Sequence, residues 1–476
     1  MGGTWAESAS GDSVDVIEAA TEESLGRAAL GDARDIDRAV RAARAALDDG
    51  PWGRTSPAER AELMFRFADR LDAAAEDTAT LVSRENGTPI ALSRVANGIG
   101  PGETVRMYAR LAAGLSTEEV RPSPHGATIV RREPAGVVGA ITPWNHPQTL
   151  AVMKIAPALA MGCAVVLKPA PETALDAFVF GEAAAAAGFP GGVVNVVPGG
   201  REAGAALVSH PGVDKVAFTG STAAGRAIGA ESGRLIRPCT LELGGKSASI
   251  VLDDADLDVF TAGLGESSFR NNGQTCALQT RILAPRRRYD EVVGAVGQFA
   301  RGLVVGDPLD ESVTCGPMVS AAHRDRVLAH IDGALAGGAR LVTGGGRPGD
   351  RDRGWFVEPT VFAGVSNSDA IAREEVFGPV VVVIPYDDDD EAVRIANDSD
   401  YGLGGSVWTS DEARGLDVAR RVRTGTIGIN YYALDPGAPF GGMKASGLGR
   451  ELGPEALAAY TEYKSVYASA RWLPEV

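Results

Sequence analysis

Along residues 35–48, DIDRAVRAARAALD, apolar side chains return at Ile36, Ala39, Val40, Ala43 and Leu47. That spacing places them on one face of a helix. A longer helix is expected from SPAER at 56–60. Ser56 caps it, Pro57 suits its first turn, and Glu59 stands three residues after the cap. From 128 to 252 the period changes. Short β-rich runs, GVVGAIT, CAVVLKP, GVVNVVPG and KVAFTG, alternate with alanine-rich helical stretches. This alternation predicts a parallel sheet covered on both faces. A second set follows residue 276: ARLVTGG, VVVVIPY, GGSVWT and GTIGIN, with helices near 320–337 and 411–423. It predicts a second α/β domain. Two further strand-like runs, GATIVRREP at 126–134 and AYTEYKSVYAS at 459–469, belong to neither core. They suggest a sheet completed by another subunit. The acidic run Asp387 to Asp390 reads as cap and charge for a helix beginning near Glu391, not as a metal site.

Composition narrows the class. With 476 residues and 45% hydrophobic content the chain can build a large core, and its length suits more than one domain. A net charge of -16 with no dominant basic run argues against nucleic acid or an anionic membrane surface as partner. The longest apolar run, IAPALAMGCAVVL, is broken by Pro157 and Gly162 and then meets Lys168, so no membrane span is expected. The first residues are acidic and lack an apolar stretch, so no signal peptide is expected. Cys163, Cys239, Cys276 and Cys315 form no close pair, which fits a reduced, cytoplasmic setting. The five histidines lack metal-ligand spacing, and no metal is expected.

Four stretches carry candidate chemistry. In TPWNHP, 142–147, Asn145 sits at a strand end, where an asparagine either holds a turn or offers its NH2 to a developing oxyanion. In FTGSTAAGRAIG, 218–229, a strand ends, a glycine turns and a helix begins; free N–H groups there favour phosphate, and Ser221 adds a hydroxyl. The spacing is not the usual dinucleotide fingerprint. In LELGGK, 241–246, Glu242 is either paired in the interior or poised as a base, and partial burial would raise its pKa toward that use. In SSFRNNGQTCALQT, 267–280, small flexible neighbours leave Cys276 reachable, and backbone dipoles would favour its thiolate. The plain alternative is a small packing residue.

Taken together these stretches resemble the aldehyde dehydrogenase superfamily. TPWNHP, KPAPET, FTGSTAAG, LELGGK, NNGQTC, EEVFGPV and PFGGMKASGLGRELG occur in the family's order across nearly the whole chain. The resemblance implies an α/β protein with a Rossmann-like cofactor-binding domain (1–111 and 134–243) and an α/β catalytic domain (244–446). A small β oligomerisation arm (112–133 and 458–472) completes it. It implies NAD(P)-dependent oxidation of an aldehyde to the acid. Cys276 is then the nucleophile, Asn145 and the Cys276 N–H the oxyanion donors, and Glu242 the base that hydrolyses a thioester. Glu451 either assists proton passage or forms a helix-start salt bridge.

By the same resemblance Lys168 meets the adenosine ribose, Ser221 the pyrophosphate, and Glu375 and Phe377 the nicotinamide ribose and ring, with Trp144 and Gly220 lining the cleft. NAD-preferring members often carry glutamate three residues after the lysine. Here that position is Pro171, with Glu172 one later, so NAD is favoured and NADP stays open. His146 and Arg270 match substrate-channel positions. Arg270 either reaches a substrate carboxylate or turns its head to solvent, the second reading standing ahead. The partners implied are a small aldehyde and further copies of the chain, as homodimer or homotetramer. Two rivals remain: an acylating, coenzyme A-dependent enzyme, which generally lacks the base glutamate, and a silent scaffold on the same fold.

Overall fold

The computed structural model describes residues 1–469. The predicted arm segment 458–472 therefore has its residues 470–472 outside the described residues. Both predicted early helices form. Ala33–Asp48 buries Ile36, Ala39, Val40 and Ala43, while Leu47 is half-buried. Pro57–Ala73 starts at a capping box in which Ser56 and Glu59 satisfy each other's backbone N–H.

A six-stranded sheet runs in the order Gly447–Leu448, Cys239–Glu242, Lys215–Thr219, Val137–Ile141, Ala164–Lys168, Val194–Val196. Four of its strand pairs are parallel, and only the pairing of Gly447–Leu448 with Cys239–Glu242 is antiparallel. The strands Val137–Ile141, Ala164–Lys168 and Lys215–Thr219 are buried throughout, as a sheet covered on both faces requires. From Val137–Ile141 the chain first adds strands on one side, then returns to add Lys215–Thr219 on the other. That reversal opens a crevice at the carboxyl ends of the two strands, where ligands of such sheets bind.

A seven-stranded sheet holds Arg340–Thr343, Thr360–Ala363, Val380–Tyr386, Arg281–Pro285, Ala248–Val251, Gly405–Trp408 and Gly428–Ile429 in that order. All its pairs are parallel except Arg340–Thr343 with Thr360–Ala363. The acidic run behaves as expected at Asp388, whose carboxylate accepts from Glu391 N at 2.8 Å and caps the helix Asp389–Asn397. Its neighbours pair with arginines: Asp389 with Arg414 at 2.6 Å, and Asp390 with Arg421.

The two stray strands meet each other. Gly126–Pro134 pairs antiparallel with Thr461–Ala468 on one side and with Glu118–Ser123 on the other. This three-stranded ribbon leaves Val120, Tyr463, Val466 and Tyr467 exposed. No helix among the described residues is long and apolar enough to cross a membrane.

Candidate active site

The crevice at the strand reversal is a cleft of about 280 Å³. Pro143, Trp144 and Asn145 enter it from the end of Val137–Ile141, and Thr219, Gly220 and Ser221 from the end of Lys215–Thr219. Cys276, Glu375 and Phe377 close it from the other sheet. Seven of the candidates thus line one cleft: Trp144, Asn145, Gly220, Ser221, Cys276, Glu375 and Phe377.

The amides around Cys276 build its loop. Asn271, Asn272 and Gly273 are all left-handed, with φ of 53°, 60° and 76°. Asparagine tolerates that region better than most residues. Each amide is then tied down. Asn271 donates to Asn145 O at 2.9 Å and accepts from the Thr88 hydroxyl at 2.7 Å. Asn272 donates to Gly87 O at 2.8 Å and accepts from Gly316 N at 2.6 Å. The Asn145 side chain donates to Gln274 O at 2.9 Å, two residues before the thiol. An amide NH2 has two donors, so one N–H of Asn145 remains for another acceptor.

The expectation of a readily ionised thiol is corrected here. The Cys276 and Ala277 N–H groups do favour the thiolate, but burial outweighs them, and the charges of Glu375 and Glu242 add to it. The thiol is pushed up to about 12. Cys276 packs against an apolar cluster of Leu150, Met153, Ala277, Leu403, Phe440 and Leu452.

The paired glycines of LELGGK have a steric cause. A methyl on Gly244 would strike the Glu375 carboxylate, and one on Gly245 would strike the Cys276 carbonyl. Gly245 N donates to Glu375 Oε1 at 2.9 Å. Burial raises Glu375 to about 7, partly offset by that bond and by Lys246.

Glu242 lies outside the cleft lining, buried, with neither carboxylate oxygen hydrogen-bonded among the described residues. Burial, then the Glu451 charge, raise it well above the usual carboxylate range, and Lys154 and Arg450 oppose this. Glu451 is equally buried. Its partner is Lys154, 2.9 Å away in the middle of the helix Pro147–Met161, so the helix-start salt bridge is corrected to a buried pair between distant segments. Lys154 also donates to the Thr219 hydroxyl at 2.6 Å.

Three candidates stand elsewhere. Lys168 donates to Pro169 O and Gly199 O, each at 2.7 Å; burial lowers it to about 8, with Glu172 opposing. His146 is no open channel wall: it is buried, 2.9 Å from the Thr275 hydroxyl, and burial followed by the Arg270 charge holds it near 3. Arg270 pairs with Glu266 one helical turn earlier, so its head is neither free for a substrate carboxylate nor simply in solvent.

Sequence reasoning passed over His323, Arg326 and His330, which line the cleft from one helix, Ala321–Ala336. Their spacing of three and four residues was a usable signal, because it puts them on one face. Lys154 was also missed, since it sits in an otherwise apolar helix.

A crevice at a sheet reversal, closed by a second α/β sheet carrying a thiol loop, defines an α/β enzyme with a nucleotide-type cleft. Comparison with known proteins makes this specific. Residues 5–466 match the model of the aldehyde dehydrogenase family. The chain is 54% identical to geranial dehydrogenase of Castellaniella defragrans, over 98% of each chain. It is 41% identical to phenylacetaldehyde dehydrogenase of Pseudomonas fluorescens, over 98% of this chain and 94% of that one. The crystal structure of a Mycobacterium tuberculosis aldehyde dehydrogenase complexed with NAD+ superposes with a TM-score of 0.97 at 47% identity, covering 100% of this chain and 98% of that one. The chain belongs to the aldehyde dehydrogenase family, and its reaction is the oxidation of an aldehyde.

Proposed function

We propose that this aldehyde dehydrogenase uses NAD and releases its product by hydrolysis, with Cys276 as nucleophile, Asn145 as oxyanion donor and Glu242 as base. The observation that carries the reading is the arrangement around the thiol: Cys276 and Asn145 share one cleft, and the unpaired Glu242 acts on the same thiol electrostatically. The Cys276 thiol gives its proton to water as its sulfur bonds to the aldehyde carbon and the carbonyl π pair moves onto oxygen. The oxygen takes the negative charge and meets the free N–H of Asn145 and the Cys276 N–H; such donors contribute about 3 to 4 kcal/mol each. When bound, the oxidised nicotinamide supplies the hydride acceptor. The thioester left on Cys276 is attacked by a water whose proton Glu242 takes; the carbon–sulfur bond then breaks, freeing the acid and restoring the Cys276 sulfur. Glu451, paired with Lys154 and close enough to Glu242 to act on its charge, receives that proton from Glu242 in turn.

The cleft suits the cofactor. Trp144 and Phe377 meet edge to face at 5.5 Å. Gly220 and the helix start at Ser221 present backbone toward phosphate, and Glu375 offers a carboxylate to ribose hydroxyls. The six-stranded sheet supports the cofactor-binding domain expected over 1–111 and 134–243, and the seven-stranded one the catalytic domain expected over 244–446. The aldehyde is uncharged and apolar in this reading, because Cys276 packs on the apolar cluster that holds Leu150, Met153 and Phe440, and Arg270 is paired with Glu266. Geranial and phenylacetaldehyde, named for two relatives, are apolar too. The test is NADH absorbance with a panel of aldehydes, with and without coenzyme A. Turnover that requires coenzyme A would overturn the hydrolytic reading, and none with any aldehyde would leave the scaffold.

Glu172 already acts on Lys168 from one residue past Pro171, so the missing carboxylate is only partly missing. NAD is expected to be preferred about tenfold in kcat/KM, one decade being about 1.4 kcal/mol. Pro171→Glu is expected to widen that ratio by harming NADP use. A ratio unmoved by the substitution, or a strong preference for NADP in the parent, would remove the ribose-pocket argument.

The exposed ribbon of 118–134 and 461–468 supports assembly about a two-fold axis, as a dimer or a dimer of dimers. Sedimentation at micromolar concentration is expected to find no stable monomer.

A further inference from the structure

We propose that His323 is a positioning residue for the cofactor cleft: one ring nitrogen holds the Phe377 carbonyl, the other holds the Arg326 guanidinium, and the imidazole thereby fixes an aromatic wall and a cationic wall together. The inference rests on the reading of this cleft as the dinucleotide site.

The two contacts leave the ring one protonation state. Nε2 lies 2.7 Å from Phe377 O, and a carbonyl only accepts, so Nε2 carries the proton. Nδ1 lies 2.9 Å from an Arg326 terminal nitrogen, and a guanidinium only donates, so Nδ1 offers its lone pair. A protonated ring would lose the Arg326 bond. Burial opposes that proton, as do the charges of Arg326 and His330, while the Phe377 carbonyl favours it; the balance holds His323 near 4, neutral at working pH.

What the ring holds is functional on both sides. Phe377 is a non-glycine residue with φ of 59°, a left-handed backbone that other residues must maintain. The His323 bond falls on the carbonyl of that residue. Trp144, His323 and Phe377 also form a triangle of rings, with centroids 5.1, 5.5 and 6.0 Å apart. On the other side, Arg326 lines the cleft and makes no ion pair with a carboxylate among the described residues. Its charge is free for an anion, and the diphosphate is the anionic group that NAD offers.

The experiment compares His323→Phe, His323→Gln and Arg326→Leu in the full chain, by fluorescence titration with NAD and by kcat and KM. Glutamine can reproduce both bonds, its NH2 donating to Phe377 O and its carbonyl accepting from Arg326. Phenylalanine keeps a ring and makes neither bond. The Kd for NAD is expected to rise roughly tenfold to thirtyfold in His323→Phe, stay within about threefold in His323→Gln, and rise roughly fivefold to tenfold in Arg326→Leu. At saturating NAD, kcat is expected to fall less than KM rises. Wild-type affinity in His323→Phe overturns the proposal, as does His323→Gln binding no better than His323→Phe. If His323→Phe does not fold, the other two variants decide: loss in His323→Gln, or no loss in Arg326→Leu, overturns it. A parent protein that binds no dinucleotide overturns the cleft reading itself, a result separate from any of these.

Discussion

Cys276→Ala is expected to lose aldehyde oxidation by about four orders of magnitude or more while binding NAD within about threefold of the parent. Among the described residues no other cysteine lines the cleft, so no second thiol stands ready to take over the attack. The loop does not depend on the sulfur. It is held by the side chains of Asn271, Asn272 and Gln274, all of which survive the substitution. Trp144, Glu375 and Phe377, which line the same cleft, are likewise untouched. Turnover by single-substrate assay and affinity by fluorescence titration separate the two effects. Parent-like turnover would sink the nucleophile assignment.

Glu242→Gln is expected to release one equivalent of NADH per site in a burst and then turn over about a hundredfold to ten-thousandfold more slowly. Addition to Cys276 and hydride loss do not need the carboxylate, whereas hydrolysis of the thioester does. A normal steady rate, or no burst, would count against the base. The pH profile adds a sign. Burial and then the Glu451 charge raise Glu242, so its basic form grows over a pH range above the usual carboxylate one. Burial also keeps Cys276 protonated until high pH. Steady turnover should therefore climb as pH rises above the usual carboxylate range. The Gln variant should lose the part of that climb that belongs to Glu242.

Local features of this fold could be read from the sequence because they need only local physics. Ser56 and Glu59 cap their own helix, and Ile36 to Ala43 form one face whatever lies opposite. The strands at 137–141 and 164–168 are long enough runs of buried β-branched and apolar residues to announce themselves. Shorter strands did not: Gly447–Leu448 is two residues long and exists only by pairing with Leu241 and Glu242. The site was legible as a set of side chains but not as an electrostatic system. The pairing of Lys154 with Glu451 spans 297 residues of chain. The burial that raises Cys276 and Glu242 depends on both sheets at once, which no window of sequence contains. His323 and Arg326 carried a readable spacing, but their use depends on the Phe377 carbonyl, 54 residues further on.

The glycine pair at 244–245 also has a mechanical meaning. Residues 243–247 join the last parallel strand of one sheet to the first strand of the other. Over that short tether the chain touches Glu375 through Gly245 N and crowds the carbonyl of Cys276. The tether therefore works as a gauge block: it sets the gap between the carboxylate offered to the cofactor and the thiol by backbone thickness alone. A single added carbon at either glycine would reset that gap by pushing on the Glu375 carboxylate or on the Cys276 carbonyl.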